Sequence, residues 1–375
     1  MMMINAKRIG ILLLMVFLLT SCQESTIDLS NSDQGTERYL LELWLDGEDL
    51  ELLDLRLFDE PSRPFPISES IIRYEYRLAG GEVLEEGEVA DPRLVRTEFD
   101  DRGEVEAHFA RTDYGLLRLK VPGTAGTLHF LDNDGESFAQ IDVDPANNVR
   151  RLPLMRPDDV LGDAIKIVDH GESIGRADIL FIPDGYKEED MRRFQDDVQE
   201  ILRNLRAHPD YELMWSDFNF WRQDVRSRKR GVNETGTARD TAFEAGPLGD
   251  SGRCFWPSAE GNKAIRQLAT RVRADYVVVL LNTDTHAGCA TPFMTSQAVT
   301  PHAHLTLAHE LGHGLFNLGD EYAYDGSVAG QCAAGRPNIS SSSAAGQIPW
   351  QALLTTDVLP TPDSAEYHRY VGAFE

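Results

Sequence analysis

Residues 309–313 read His-Glu-Leu-Gly-His, and this stretch decides how the rest of the chain is interpreted. In an α-helix, residues i and i+4 lie one turn apart on the same face, so the imidazoles of His309 and His313 can point at one ion. Glu310 is rotated by about 100° from His309, which places its carboxylate beside such an ion rather than on it. The pattern predicts a site for one Zn²⁺ ion, with both histidines as ligands and Glu310 as the catalytic general base that deprotonates zinc-bound water. The alternative is a buried helix in which two histidines share this spacing by chance.

The flanking residues favour a packed helix. Thr300 is predicted as its N-cap and Pro301 as its first residue, where the missing N–H of proline costs nothing. Gly312 and Gly314 each disfavour helix by about 1 kcal/mol relative to alanine, which predicts close backbone packing at Gly312 and a helix end soon after His313. The positions predicted to pack into a core are Leu305, Ala308, Leu311, Gly312 and Leu315.

A catalytic zinc ion usually has a third protein ligand, and Asp320 and Glu321 follow the predicted helix. If the helix continued, Asp320 would lie roughly 16 Å along the axis from His309, which is out of reach. We therefore predict a turn, since Asn317 and Gly319 both tolerate the left-handed conformation. Asp320 is the preferred ligand; Glu321 can instead orient a ligating histidine.

Other polar side chains near the motif have weaker assignments. Tyr322 and Tyr324 can donate a hydrogen bond to the oxyanion of a peptide intermediate, or they can simply pack. His302 lies on nearly the same helix face as His309, but about 10 Å away, and His304 lies on another face. Neither of these two histidines is predicted to share the ion.

The run 309–313, followed by Gly319-Asp-Glu-Tyr322, resembles the zinc site of the IgA-peptidase family of bacterial metalloendopeptidases. The similarity extends over about residues 160–375. The resemblance implies a zincin-type catalytic domain, often preceded by a β-rich domain, and hydrolysis of peptide bonds. It does not imply that immunoglobulin is the substrate. The chain departs from the metzincin pattern, which has Gly at position 316 and His or Asp at 319, because it has Phe316 and Gly319 there.

The first 21 residues predict a signal peptide. Lys7-Arg8 precedes an apolar run at 9–19 that is short for a membrane span, and Leu19-Thr-Ser-Cys22 resembles a bacterial lipobox. We predict lipidation of Cys22, a tether over 22–37, and a protein held by its lipid anchor on the bacterial cell envelope, at the outer membrane or cell surface. The alternative is a soluble secreted protein in which Cys22 is incidental.

Three further cysteines remain: Cys254, Cys289 and Cys332. An exported protein can form a disulfide, but an odd number leaves at least one thiol outside any pair within the chain. The sequence stops at residue 375 without a closing signal, and we expect it to lack the last segment of its catalytic domain.

Composition and patterning predict an α+β multidomain protein. The 375 residues are 42% hydrophobic, and the net charge of −26 argues against a nucleic-acid partner. Residues 38–145 alternate apolar and polar side chains between turn clusters, which predicts an antiparallel β-sandwich. A linker is predicted over 146–159, followed over 160–375 by an α/β zincin-like metallopeptidase domain. Within it, 295–299 is a candidate edge strand for pairing with a substrate peptide.

The predicted function is that of a zinc-dependent endopeptidase which cuts peptide bonds of extracellular proteins. One alternative is a surface-anchored binding protein for host protein or glycan with a non-catalytic zinc site. Another is a structural metal site, which four protein ligands would close.

Overall fold

The computed structural model describes residues 38–58, 71–100, 105–144, 157–249, 253–319, 337–338, 346–348, 350–359 and 361. Within these ranges, no helix has the length and apolar character needed to cross a bilayer. The predicted signal peptide and tether, with Cys22, lie outside these ranges, as do Asp320, Glu321, Tyr322, Tyr324 and Cys332.

In the described residues before 145, nine short strands form the N-terminal part, as the period-two pattern predicts. They are β1 (Arg38–Asp46), β2 (Asp49–Phe58), β3 (Ile71–Arg77), β4 (Val83–Ala90), β5 (Leu94–Asp100), β6 (Val105–Arg111), β7 (Tyr114–Pro122), β8 (Gly126–Leu131) and β9 (Ser137–Val143).

Seven of these strands form two antiparallel sheets that pack around one hydrophobic cluster. The sheets have the orders β2-β1-β7 and β4-β3-β8-β9. Leu41 and Leu43 of β1 meet Tyr76 of β3 and Phe130 of β8 in this cluster, and all four are fully buried. The alternating apolar residues thus supply one inner face to each sheet. The prediction of a β-rich N-terminal region is confirmed.

Strands and helices alternate from residue 157 onward. The elements are β10 (Ile165–Val168), β11 (Ala177–Asp184), α1 (Met191–Arg206), α2 (Pro209–Met214), β12 (Phe218–Arg222), β13 (Gly246–Pro247), β14 (Phe255–Trp256), α3 (Ala259–Val272), β15 (Tyr276–Leu281), β16 (Gly288–Thr291), β17 (Met294–Ala298) and α4 (Ala303–Phe316).

The main sheet has eight strands in the order β10-β12-β11-β15-β17-β16-β5-β6. Strands β12, β11, β15 and β17 are parallel, whereas β10 and β16 run antiparallel to their neighbours. Every residue of β11 and β15 is buried, as expected for strands covered on both faces. The prediction of an edge strand at 295–299 is wrong, because β17 pairs with β15 on one side and with β16 on the other.

Helices cover both faces of this sheet. Ile179 and Phe181 of β11 pack into the cluster that contains α1, α2 and α4. Leu180 and Ile182 of the same strand point the other way, into the cluster that contains α3. The side-chain alternation of one strand therefore builds two cores, and α4 lies in the first of them.

The hairpin β5–β6 extends the main sheet beyond β16, although it comes from the N-terminal part of the sequence. Cys289 of β16 pairs with Thr97 of β5, and Ala290 pairs with Arg96. The main sheet therefore contains strands from both 38–145 and 160–375, the two ranges that the sequence analysis separates. The chain is an α+β protein with a β-rich N-terminal region.

A buried ion cluster also joins the two parts. Glu42 of β1 accepts hydrogen bonds through Oε1 from Arg118 Nε (3.0 Å) and Arg266 Nη2 (3.1 Å). Arg118 lies on β7 and also donates to the carbonyl oxygens of Ala274 (2.5 Å) and Asp275 (2.9 Å). Arg266 lies on α3, so the carboxylate connects the β2-β1-β7 sheet to the helix behind the main sheet.

A disulfide links Cys254 to Cys289, with their Cα atoms 5.4 Å apart. It ties the segment before β14 to β16, the strand that pairs with β5. The pair uses two of the three cysteines that remain after Cys22.

Candidate functional site

Helix α4 carries the His-Glu-Leu-Gly-His stretch and follows β17 after a short turn. The helix begins at Ala303, two residues later than predicted, and His302 is its N-cap. Thr300 and Pro301 precede it: the Thr300 carbonyl accepts a hydrogen bond from the Ala303 N–H at 3.0 Å, and its hydroxyl accepts one from the His302 N–H at 3.3 Å. Thr300 therefore stabilises the turn that precedes the helix and is not the predicted N-cap.

The buried face of α4 lies against the main sheet and α1. Leu307, Ala308 and Leu311 are buried there, whereas Leu305, which was predicted to pack, is 39% exposed. The hydroxyl of the buried Tyr211 donates to the Ala308 carbonyl oxygen at 2.9 Å, which fixes α2 against the turn before His309.

The two histidines point at one another, as their spacing predicts. The Nε2 atoms of His309 and His313 are 2.9 Å apart. His313 Nδ1 lies 2.6 Å from the Leu318 carbonyl oxygen. Because a carbonyl oxygen only accepts, Nδ1 carries the proton and Nε2 of the neutral ring presents its lone pair. This is the tautomer that coordination of a metal ion through Nε2 requires.

The spacing of the two nitrogens fits a shared metal ion. Two nitrogens bound at roughly 2.0–2.1 Å in a tetrahedral arrangement lie about 3.3 Å apart. The observed separation of 2.9 Å is shorter by roughly 0.4 Å, so both nitrogens lie within reach of one ion. No cluster of three or more His, Cys, Asp or Glu side chains with the geometry of a metal site occurs in the ranges that the structure describes. Asp320, the predicted third ligand, lies outside those ranges, so its role stays a prediction.

The end of α4 turns the chain back, as predicted. Asn317 has φ 55° and ψ 32°, the left-handed conformation, and the Leu318 N–H donates to the Gly312 carbonyl oxygen at 3.0 Å. This turn brings the Leu318 carbonyl to His313. The turn at the end of the helix therefore also orients one of the two candidate ligands.

The close approach of the backbone occurs at Gly314, not at Gly312. A Cβ atom at Gly314 would overlap the ring of Tyr276 and lie 2.9 Å from the Pro292 carbonyl oxygen. At Gly312 it would meet only Leu318 Cδ1, at an ordinary 3.5 Å. The prediction of close packing at Gly312 is therefore wrong. The close contact occurs about half a helical turn later, at Gly314, because Tyr276 of β15 lies beside that residue.

Glu310 is 3% exposed and forms an ion pair with a residue distant in sequence. Arg96 of β5 donates from Nη2 to Glu310 Oε2 at 2.8 Å, and the two side chains are only 11% and 4% exposed. A buried carboxylate needs such a partner, since an isolated buried charge costs several kcal/mol. The sequence analysis missed Arg96, which lies 214 positions before Glu310 in an ordinary strand sequence and gives no local signal.

Tyr276 lies beside this pair at the start of β15. Burial, followed by the charge of Glu310, raises the pKa of the Tyr276 hydroxyl well above its usual value. The hydroxyl has no hydrogen-bond partner in the described part of the chain. Tyr276 is therefore a neutral phenol that fills space between β15, α4 and the ion pair.

The remaining histidines of the helix stand apart from the converging nitrogens. His302 is exposed, and His304 is half-buried, with a pKa lowered by burial and by the nearby His302 and His208.

The fold and the site together define an α+β protein with a His-Glu-x-x-His helix packed under its main sheet. The sequence profile of the family described as IgA peptidase M64 matches residues 165–374, which is more than half of the chain. The protein belongs to this family and is therefore a peptidase, as the resemblance implied. No curated protein is detectably similar to the chain.

Proposed function

We propose that the protein is a zinc-dependent endopeptidase of the zincin type, with Glu310 as its general base. The observation that carries this proposal is the convergence of the His309 and His313 Nε2 atoms on one helix that also presents Glu310. The membership in a peptidase family supports hydrolysis of a peptide bond as the reaction. The position of the helix under a mixed sheet supports the zincin type.

His309 and His313 would hold the ion, and Asp320 is proposed as the third ligand. The proton on His313 Nδ1 is fixed by the Leu318 carbonyl, so that Nε2 is available without any change of tautomer. When bound, zinc supplies a Lewis acid that polarises the scissile carbonyl and lowers the pKa of water towards about 7. A position left open for water would distinguish this arrangement from a structural site with four protein ligands.

Glu310 moves the proton in the proposed reaction. It takes the proton from the attacking water and delivers it to the amine that leaves when the peptide bond breaks. Glu310 directly follows His309, and the helical rotation of about 100° between them would place its carboxylate beside a bound ion rather than on it.

The cleavage assay that tests this proposal uses a denatured protein substrate such as casein. We expect the purified protein to release peptides, to lose this activity after treatment with a metal chelator, and to regain it when Zn²⁺ is added back. Mass spectrometry of the released peptides would then give the cleavage preference. Cleavage that survives complete removal of metal would contradict the zinc-dependent reaction.

We further propose a lipid anchor on Cys22 and a location on the bacterial cell envelope, where extracellular proteins or peptides would be the substrates. The support is the basic start, the apolar run at 9–19 and the lipobox-like Leu19-Thr-Ser-Cys22. Labelling of expressing cells with a fatty acid should mark the protein, and a Cys22→Ser variant should stay unlabelled. Equal labelling of both forms would refute the anchor.

A further inference from the structure

We propose that Arg96 is a positioning residue for Glu310, so that the N-terminal part of the chain completes the active site. The inference rests on the proposed function, because it concerns the carboxylate assigned there as the general base. Arg96 lies outside residues 165–374, the range that the family profile matches. The peptidase part of the sequence alone would thus lack one element of its site.

The contact between Arg96 and Glu310 is short and shielded from solvent. The guanidinium Nη2 lies 2.8 Å from Glu310 Oε2, and both side chains are almost fully buried. Hydrogen bonds between ionised groups are shorter and stronger than neutral ones, and here little water competes for either partner. An exposed pair would be too weak and too mobile to hold a carboxylate in place.

The main chain of Arg96 is fixed to the sheet that supports α4. Arg96 on β5 pairs with Ala290 on β16, and β16 pairs in turn with β17, the strand that precedes α4. The adjacent Cys289 is anchored by its disulfide to Cys254. The guanidinium group therefore approaches Glu310 from a hydrogen-bonded strand and not from a loop.

Glutamate needs this support because the helix fixes only its Cα–Cβ direction. The remaining side-chain torsions decide where the carboxylate lies relative to the two histidine nitrogens. A displacement of about 1 Å of a catalytic group can cost on the order of 100-fold in rate. By holding Oε2, Arg96 selects one rotamer of Glu310 before substrate arrives.

The test compares kcat and KM of the purified full chain with those of Arg96→Met, Arg96→Ala and Arg96→Lys. Methionine keeps an apolar stem in the buried space but removes the guanidinium group. We expect Arg96→Met to lower kcat by about 10–100-fold, the usual effect of removing a group that orients an active-site residue, with little change in KM or zinc content. Arg96→Lys should recover part of the loss, and guanidinium ions at non-denaturing concentration should raise kcat of Arg96→Ala.

Arg111→Ala is the matched control, because Arg111 lies on β6 of the same hairpin, is half exposed and pairs with Asp91 instead. It should leave kcat unchanged. Melting temperatures of all variants show whether a lost rate reflects lost folding.

Two results would overturn the positioning role. The first is an Arg96→Met variant that is as active as the wild type. The second is an Arg96→Met variant that is more active than the wild type, which would mean that the contact inhibits Glu310. A wild-type protein that neither binds Zn²⁺ nor cleaves peptides would instead refute the proposed function, and the positioning role with it.

Discussion

Replacement of Glu310 by glutamine should abolish nearly all turnover while the protein keeps its fold and its metal. An amide of the same shape cannot take up the water proton, and general acid–base catalysis typically contributes 10²–10⁴-fold. We therefore expect kcat to fall by about 10³-fold or more. The measurement is the steady-state cleavage of a fluorogenic peptide, together with zinc content by atomic absorption.

The matched control is Glu212→Gln, which makes the same chemical change at an exposed position of α2, the helix beside α4. It should be as active as the wild type. Because Glu310 is buried against Arg96, the Glu310→Gln variant should also melt at a somewhat lower temperature. A folded, zinc-loaded Glu310→Gln protein with comparable turnover would contradict the assigned role of the carboxylate.

Replacement of Glu42 by alanine should have the largest effect on stability. The carboxylate is 2% exposed and accepts hydrogen bonds from two guanidinium groups that are themselves buried. Removal of one partner from a buried ion cluster leaves uncompensated charge and costs about 3–5 kcal/mol. We expect a decrease of this size in the free energy of unfolding, measured by urea denaturation with tryptophan fluorescence.

Glu51→Ala provides the comparison, because the Glu51–Lys263 ion pair also joins the β2-β1-β7 sheet to α3 but is partly exposed. Exposed pairs contribute about 0–1 kcal/mol, so this variant should be nearly neutral. A triple variant with Glu42→Leu, Arg118→Met and Arg266→Met should recover most of the stability lost in Glu42→Ala, since an apolar cluster of similar volume needs no ionic partner. If Glu42→Ala and Glu51→Ala were equally mild, the carboxylate of Glu42 would not be holding the two parts together.

The elements of the peptidase part were predictable because their sequences have strong periodicity. Helix α3 has buried apolar residues at helical spacing, and β15 is an unbroken apolar run. Buried strands such as β15 are recognisable as continuous runs of apolar residues, because both faces of the central sheet are covered. Helix α4 was predicted with its end correct and its start displaced by two residues, because Thr300 and Pro301 suit a preceding turn as well as a first helical turn.

Two of the predictions that failed concern contacts between elements. The position of β17 inside the sheet depends on which strands pair with it. The sequence of residues 295–299 contains no local signal that distinguishes an interior strand from an edge strand. The tight position at Gly314 depends on Tyr276, which comes from another strand. Both errors arise because the sequence shows what each segment prefers but not what is placed beside it.

The sequence by itself determined the chemistry of the candidate site: two imidazoles and a carboxylate at helical spacing, followed by a residue that accepts a left-handed turn. These are local properties, since 3.6 residues per turn and the tolerance of asparagine for positive φ do not depend on the rest of the chain. Only the tertiary structure decided that Arg96 meets Glu310 and that β5 extends the peptidase sheet. Those contacts join residues more than 190 positions apart, and their energy comes from buried charge and strand pairing, neither of which has a local signature in the sequence.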